Sequence, residues 1–160
     1  MATTNAIPIA GRVTGTYLTF QVGKEEYGIE IFKVREIIGL LPITPVPGSP
    51  PEMIGVINLR GKVIPVISVR TRFGMPPSEP HPHNVIIVVE NRQGEIGLAV
   101  DRVAEVARFT EAETEAPPPY GLAVDTTCVA AIGKSQGRIR ILLDIARVLG
   151  DAAGPGQAAA

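Results

Sequence analysis

The feature that most constrains this chain is that it says one thing twice. With Gly61 set against Gly137, the stretch KVIPVISVRTRFG from Lys62 to Gly74 lies over RIRILLDIARVLG from Arg138 to Gly150. Apolar character is kept at Val63/Ile139, Val66/Leu142, Ile67/Leu143, Val69/Ile145 and Phe73/Leu149. Upstream, YGIEIFKVREI from Tyr27 to Ile37 lies over IGLAVDRVAEV from Ile96 to Val106. A strand-like run precedes each, Tyr17–Val22 and Val85–Glu90. The offset is 69 residues at Gly28/Gly97 and 76 at Gly61/Gly137, so seven extra residues fall between Val106 and Gly137. Two copies predict two similar small modules, since a solenoid needs at least three repeats. One difference stands out: Arg60 faces Gln136. A charge present in one copy is not demanded by the shared fold, which makes Arg60 a functional candidate.

Read in order, residues 1–14 form a leader expected to be disordered. YLTFQV alternates as a strand, turns at Gly23–Glu26 and returns as Tyr27–Ile31, a hairpin. One helical turn over Ile31–Val34 precedes a strand Arg35–Ile38. Five prolines between Pro42 and Pro51 exclude regular helix there. A hairpin Met53–Ile67 follows, turning at Asn58-Leu59-Arg60-Gly61, with glycine where the backbone reverses. Pro65 donates no ladder hydrogen bond, so it predicts a sheet edge or a bulge. Ser68 is the expected N-cap of a short helix Val69–Phe73. MPPSEPHPH is a semi-rigid junction.

The second module repeats the plan. VIIVVE turns at Asn91–Gly94 and returns as Glu95–Val100; Asp101 is expected to cap a helical turn, followed by a strand Ala104–Phe109. Thr110–Tyr120 reads as an acidic, then proline-rich loop. Thr127–Ile132 and Arg138–Leu143 form the last hairpin, and Asp144 caps the turn Ile145–Leu149. The tail 151–160 is of low complexity and expected to be disordered. Short strands spaced by turn signals predict a mainly β fold of two small barrels with short helical turns. One module spans about 15–75 and the other about 84–150, the exchange of strands between them being open. Modules this small are near the lower limit for an independent core, so they are expected to pack together.

Composition sets further limits. Apolar residues make up 45% of the 160, but aromatics only 4%, so the core must be Val, Ile and Leu. A net charge of −1 gives no electrostatic reason to expect nucleic acid or anionic membrane. No apolar run approaches the roughly 20 residues that span a bilayer, and no secretory signal is visible. The single cysteine excludes an internal disulfide, and the expected location is the cytoplasm.

Candidate chemistry is sparse. Ala131-Ile132-Gly133-Lys134-Ser135 lacks the earlier glycine of a phosphate loop, where Cys128 stands, and reads as a hairpin end. His81 and His83, with Cys128, fall short of the usual four zinc ligands. Cys128 sits in an apolar run and reads as a buried small side chain. Glu111, Glu113 and Glu115 read as a solvated face. Glu36 and Glu105 repeat at matching places, with Lys33 and Arg102 as possible partners. Nothing assembles a nucleophile, a base and an oxyanion pocket, so the expectation is a protein that binds, with no catalytic residue, cofactor or metal.

YGIEIFKVREII, a proline-rich loop, GVINLRGKVIPVISVRTRFG and IGLAVDRVAEV together resemble the CheW family, from about Tyr17 to Leu149. The resemblance implies two five-stranded SH3-like barrels around a shared hydrophobic core. It implies a chemotaxis adaptor that couples the cytoplasmic tip of chemoreceptors to a histidine kinase, binding a receptor helical hairpin and the kinase regulatory domain. Receptor-facing positions then fall on Val34, Glu36 and Arg60, and further on Gly55, Val85, Gly97 and Val106. Valines would supply apolar contact to a helix, Arg60 would bond a carboxylate or helix-end carbonyls, and the glycines would permit close approach. The loop holding Glu115 and Tyr120 is where relatives make further kinase and array contacts; some carry a basic residue and Phe there.

The same double barrel occurs within the kinase and in adaptors fused to a receiver domain, but this chain leaves no room for either, which favours a free adaptor. The alternative is a small barrel that binds nucleic acid. That would need a basic, aromatic-bearing strand face, which four Phe, three Tyr and a negative net charge do not supply.

Overall fold

Alternating apolar residues and closely spaced turns give eleven strands among the described residues of this computed structural model. Those residues are 15–39, 41–76, 79, 81–91, 94–117 and 128–149. The leader 1–14, Tyr120 and the tail 151–160 lie outside them. The first copy contributes β1 (Gly15–Val22), β2 (Glu25–Glu30), β3 (Val34–Gly39), β4 (Met53–Leu59), β5 (Lys62–Ser68) and α1 (Val69–Arg72). A 3-10 turn, Ile31–Lys33, separates β2 from β3. The second contributes β6 (Val85–Asn91), β7 (Gly94–Val100), β8 (Arg102–Phe109), β9 (Thr114–Glu115), β10 (Val129–Ser135), β11 (Arg138–Leu143) and α2 (Ile145–Leu149).

The strands form one sheet in the order β8-β1-β2-β11-β10-β9 and another in the order β3-β6-β7-β5-β4. Numbering strands within each copy exposes a swap. Each sheet takes strands one and two from one copy and strands three, four and five from the other, always in the order three-one-two-five-four. The sheets therefore do not divide at the middle of the chain. Among the described residues the only parallel pairs, β2 with β11 and β5 with β7, join strands of different copies. The sixth strand of the first sheet is the two-residue β9, paired with β10 through Ile132↔Glu115 and Gly133↔Thr114. It lies in the insertion peculiar to the second copy.

The core follows the same symmetry. Ile57, Ile64, Val66, Ile86 and Val88 fill the inside of the five-stranded sheet. Tyr17, Phe109, Ala131 and Leu142 fill the six-stranded one. A larger cluster, including Leu18, Phe20 and Tyr27 from one sheet and Ile67, Ile87 and Leu98 from the other, is common to both. Burying apolar area at this shared surface joins two modules that are individually small. Arg72 of α1 strengthens the join by donating to the carbonyls of Val148 at 2.8 Å and Arg147 at 3.2 Å.

Three local expectations are corrected. Pro65 lies in β5, a central strand; its antiparallel partner is Val56, and the parallel ladder to β7 starts one residue later at Val66↔Gly97. A proline fits there because that second ladder has not yet begun. Asp101 caps no helical turn: β8 starts at once, because the carboxylate is taken by the Gly23 N–H at 2.8 Å and by Arg70 at 2.6 Å. Within the acidic loop, Thr110 and Glu113 form a capping box around a 3-10 turn, Glu111–Glu113, so Glu113 is structural. Ser68 does cap α1, accepting from the Thr71 N–H at 3.2 Å.

Burial pushes the Asp101 carboxyl up, but the Arg70 guanidinium and the Gly23 N–H outweigh it, so its pKa is lowered. A carboxyl lowered in the folded state adds stability above its unfolded pKa, about 3.9, and loses that stability as pH falls through the folded value. Urea titrations from pH 6 to pH 2 should therefore show an acid-dependent loss below about pH 4 that Asp101→Asn reduces. Equal pH slopes in the two proteins would refute the link.

Candidate functional site

The Arg60 turn begins from backbone geometry. Arg60 and Gly61 occupy the two central positions between β4 and β5 with φ of 52° and 85°. A two-residue hairpin turn of this hand needs positive φ at both, which suits the strands' twist. Asn58 braces it, its Oδ1 accepting from the Gly61 N–H at 2.9 Å. Gln136 and Gly137 repeat the conformation at 55° and 74°. The unusual backbone thus belongs to the fold, and at this turn position the first copy differs in carrying a cation, Arg60 against Gln136.

That side chain reaches β3. Arg60 Nη2 donates to both Glu36 oxygens, at 2.9 and 2.8 Å. The hydrogen bond from Arg60 lowers the Glu36 pKa. β3 and β4 are first and last in the sheet order, so the pair links the two edges of a curled sheet. Nearby charges are also paired: Lys62 with Glu95 at 3.0 Å, and Arg35 with Glu90 at 3.3 Å and Glu95 at 3.6 Å. The Arg60 side chain is 68% exposed, so solvent screens the pair and little stability rests on it.

The matching carboxylate in the other sheet is held differently. Glu105 accepts from Arg138 at 2.6 Å and from Arg140 at 2.5 Å. Arg140 is buried, lies 5.7 Å from the centre of the Phe109 ring and also meets Glu26 at 3.3 Å. Position 64, which matches Arg140, is Ile. The second copy thus holds its glutamate from inside, and the first holds it from the exposed turn. Lys33 and Arg102, the partners expected from sequence, pair with neither glutamate.

The other predicted positions spread out. Val34 and Val85 are half-buried and pack against the rim of the shared core. Val106 is exposed on β8, in the other sheet from Arg60. Gly55 and Gly97 are buried, and what approaches them is the chain itself. A Cβ at Gly97 would lie 2.6 Å from Ile86 Cγ2, and one at Gly55 would lie 2.3 Å from the Thr44 carbonyl oxygen. Glu115 is exposed and pairs with Lys134 at 3.1 Å. Sequence reading also passed over an exposed apolar set. Val63 and Ile139 were grouped with the conserved apolar pattern of the repeat, yet they are 70% and 61% exposed. Alternation could not show this: in the run Arg138–Ile141 it would turn Ile139 inward and Arg140 outward, and Val63 and Ile64 are both apolar. Ile37 on β3, beside Glu36, is exposed as well.

Among the described residues no three metal-ligating side chains converge. His81 and His83 stack on each other at 4.9 Å between ring centres in an exposed turn. Cys128 is buried with the Arg72 guanidinium 3.3 Å from its sulfur. The site presents an exposed guanidinium, held to Glu36 through Nη2, with the exposed Val63 three residues further on.

The whole described chain is similar to known proteins. The model of the CheW-like domain matches residues 16–153. "Chemotaxis protein CheW" of Klebsiella aerogenes is 34% identical over 142 residues, 88% of this chain and 86% of that protein. "Chemotaxis protein CheW" of Bacillus subtilis is 36% identical over 133 residues, 82% of this chain and 85% of that one. The crystal structure of the scaffolding protein TtCheW from Thermoanaerobacter tengcongensis superposes with a TM-score of 0.79. It is 33% identical and covers 94% of each chain.

Proposed function

This chain belongs to the CheW family, and from that premise we propose that it is a chemotaxis adaptor with no catalysis of its own, coupling chemoreceptors to the chemotaxis histidine kinase. The observation that carries this is the family match, which spans both sheets and the shared core. Adaptor action requires two binding surfaces and a difference in affinity between receptor signalling states, through which receptor state biases kinase state.

The receptor surface is Val34, Glu36 and Arg60, extended by Val85 and Val106. A helical hairpin offers apolar side chains to the valines and a carboxylate or terminal carbonyls to the Arg60 fork. Gly55 and Gly97 serve this surface indirectly, by letting the chain pack closely beneath it. Ile37 and Val63 add apolar contact that the sequence reading had not assigned. Glu115 supplies a kinase or array contact, with its present partner Lys134 exchanged for one on the other protein. The protein works in the cytoplasm and meets the membrane only through its partners; among the described residues no helix is long and apolar enough to cross one. Co-sedimentation with a receptor cytoplasmic fragment and with the kinase regulatory domain tests this function: each is expected to carry this protein into a complex.

A further inference from the structure

The repeat makes one vacancy visible. β1 and β8 slip register between Thr19↔Glu105 and Phe20↔Val103, which leaves Ala104 as a bulged residue without a cross-strand partner. β3 and β6 slip at the matching point, between Val34↔Val89 and Glu36↔Val88, and the bulged residue is Arg35. A bulge re-aims its side chain, and here two bulges do so at equivalent places. Arg35 fills its place with a guanidinium bonded to Glu90 and Glu95. Ala104 carries only a methyl group, and an open cleft of about 300 Å³ lies there.

The cleft is lined by Lys24, Arg102 and Arg138 against Glu25 and Glu26, with Gln21 where the other copy has Glu90. Arg138 is committed to Glu105 and lies 3.9 Å from Glu26. Arg102 and Lys24 have no hydrogen-bond or ion-pair partner among the described residues. An inserted cation, which is what Arg35 supplies in the other copy, would here meet a surplus of positive charge. An inserted carboxylate would meet two unpaired cations, Lys24 and the planar fork of Arg102, against one carboxylate, Glu25, that likewise has no ion-pair partner among the described residues.

We infer that this cleft is a second recognition site, which receives an aspartate or glutamate side chain from an acidic segment of a partner protein. It lies in the other sheet from Glu36 and Arg60, on the strand that also carries Val106. The test uses the isotope-labelled full chain titrated with a hexaglutamate peptide at low ionic strength, read by amide shifts. Saturable shifts are expected at residues 21–26 and 102–105. Arg102→Gln should weaken binding about tenfold, as loss of a charge-assisted bond does. Ala104→Met, which fills the cleft without altering charge, should remove the local shifts while thermal melting shows the protein folded. Arg108→Gln, an equal change of charge elsewhere on β8, should have little effect. The inference is overturned if Ala104→Met binds as the wild type does, if Arg108→Gln weakens binding as much as Arg102→Gln, or if shifts are absent or scattered.

Discussion

Gly55→Ala is expected to destabilise the fold by about 3 kcal/mol, combining an overpacking cost with backbone strain. In a chain of this size that lowers the midpoint of thermal unfolding by roughly 10 °C. Gly55 has φ of 150°, and an added methyl carbon would stand 2.3 Å from the Thr44 oxygen and 2.8 Å from Ile43 Cγ2. Thr44 cannot readily withdraw, because it exchanges two backbone hydrogen bonds with Val56, both 2.9 Å. That bridge pins the proline-rich loop against β4. Gly61→Ala is the control: φ is 85° but nothing lies within 4 Å, so only strain of about 1 kcal/mol applies. Calorimetry that finds Gly55→Ala no worse than Gly61→Ala would contradict this packing account. It would also return Gly55 to the set of direct partner contacts.

Arg60→Ala should do the reverse, leaving thermal stability unresolved from wild type while weakening receptor-fragment binding about tenfold, the usual scale of a lost charge-assisted contact. The fold does not need the guanidinium. Gln136 holds the same backbone conformation without it, and the Arg60–Glu36 pair is solvent-screened. Binding to the kinase regulatory domain should be unchanged. Glu36→Gln separates the two ways in which Arg60 could act. If the guanidinium alone contacts the receptor, Glu36→Gln costs less than Arg60→Ala, since the fork remains available. Equal losses in the two variants would mean that Glu36 and Arg60 act as a unit, either by holding β3 to the hairpin or by both touching the receptor. Calorimetric titration of each variant reads the difference, and Arg60→Lys should not rescue, because a lysine lacks the fork.

The repeat, the strands and the helix cap at Ser68 were legible because they depend on local signals of alternation, glycine placement and capping. The swap of strands was not, because a two-residue period says which face a strand buries but not which copy it joins. Glu36 and Glu105 were recognised as equivalent, yet their partners were missed. Arg140 sits in a run of apolar residues, and only the sheet order brings β11 near β8. Asp101 was misread as a cap for the same reason: its partners Gly23 and Arg70 are distant in sequence. Arg60 was singled out by comparing one copy with the other. The same comparison, applied to Arg35 and Ala104, would have marked the cleft, but it needed the bulges to show that those residues point alike.

The measurement closest to the central claim is sedimentation of this protein with a receptor cytoplasmic fragment and the kinase regulatory domain, singly and together. The adaptor account predicts a binary complex with each, and a ternary species in which this chain joins two proteins that do not associate comparably without it. Failure to bind either cognate partner, or two partners that exclude one another, would contradict it.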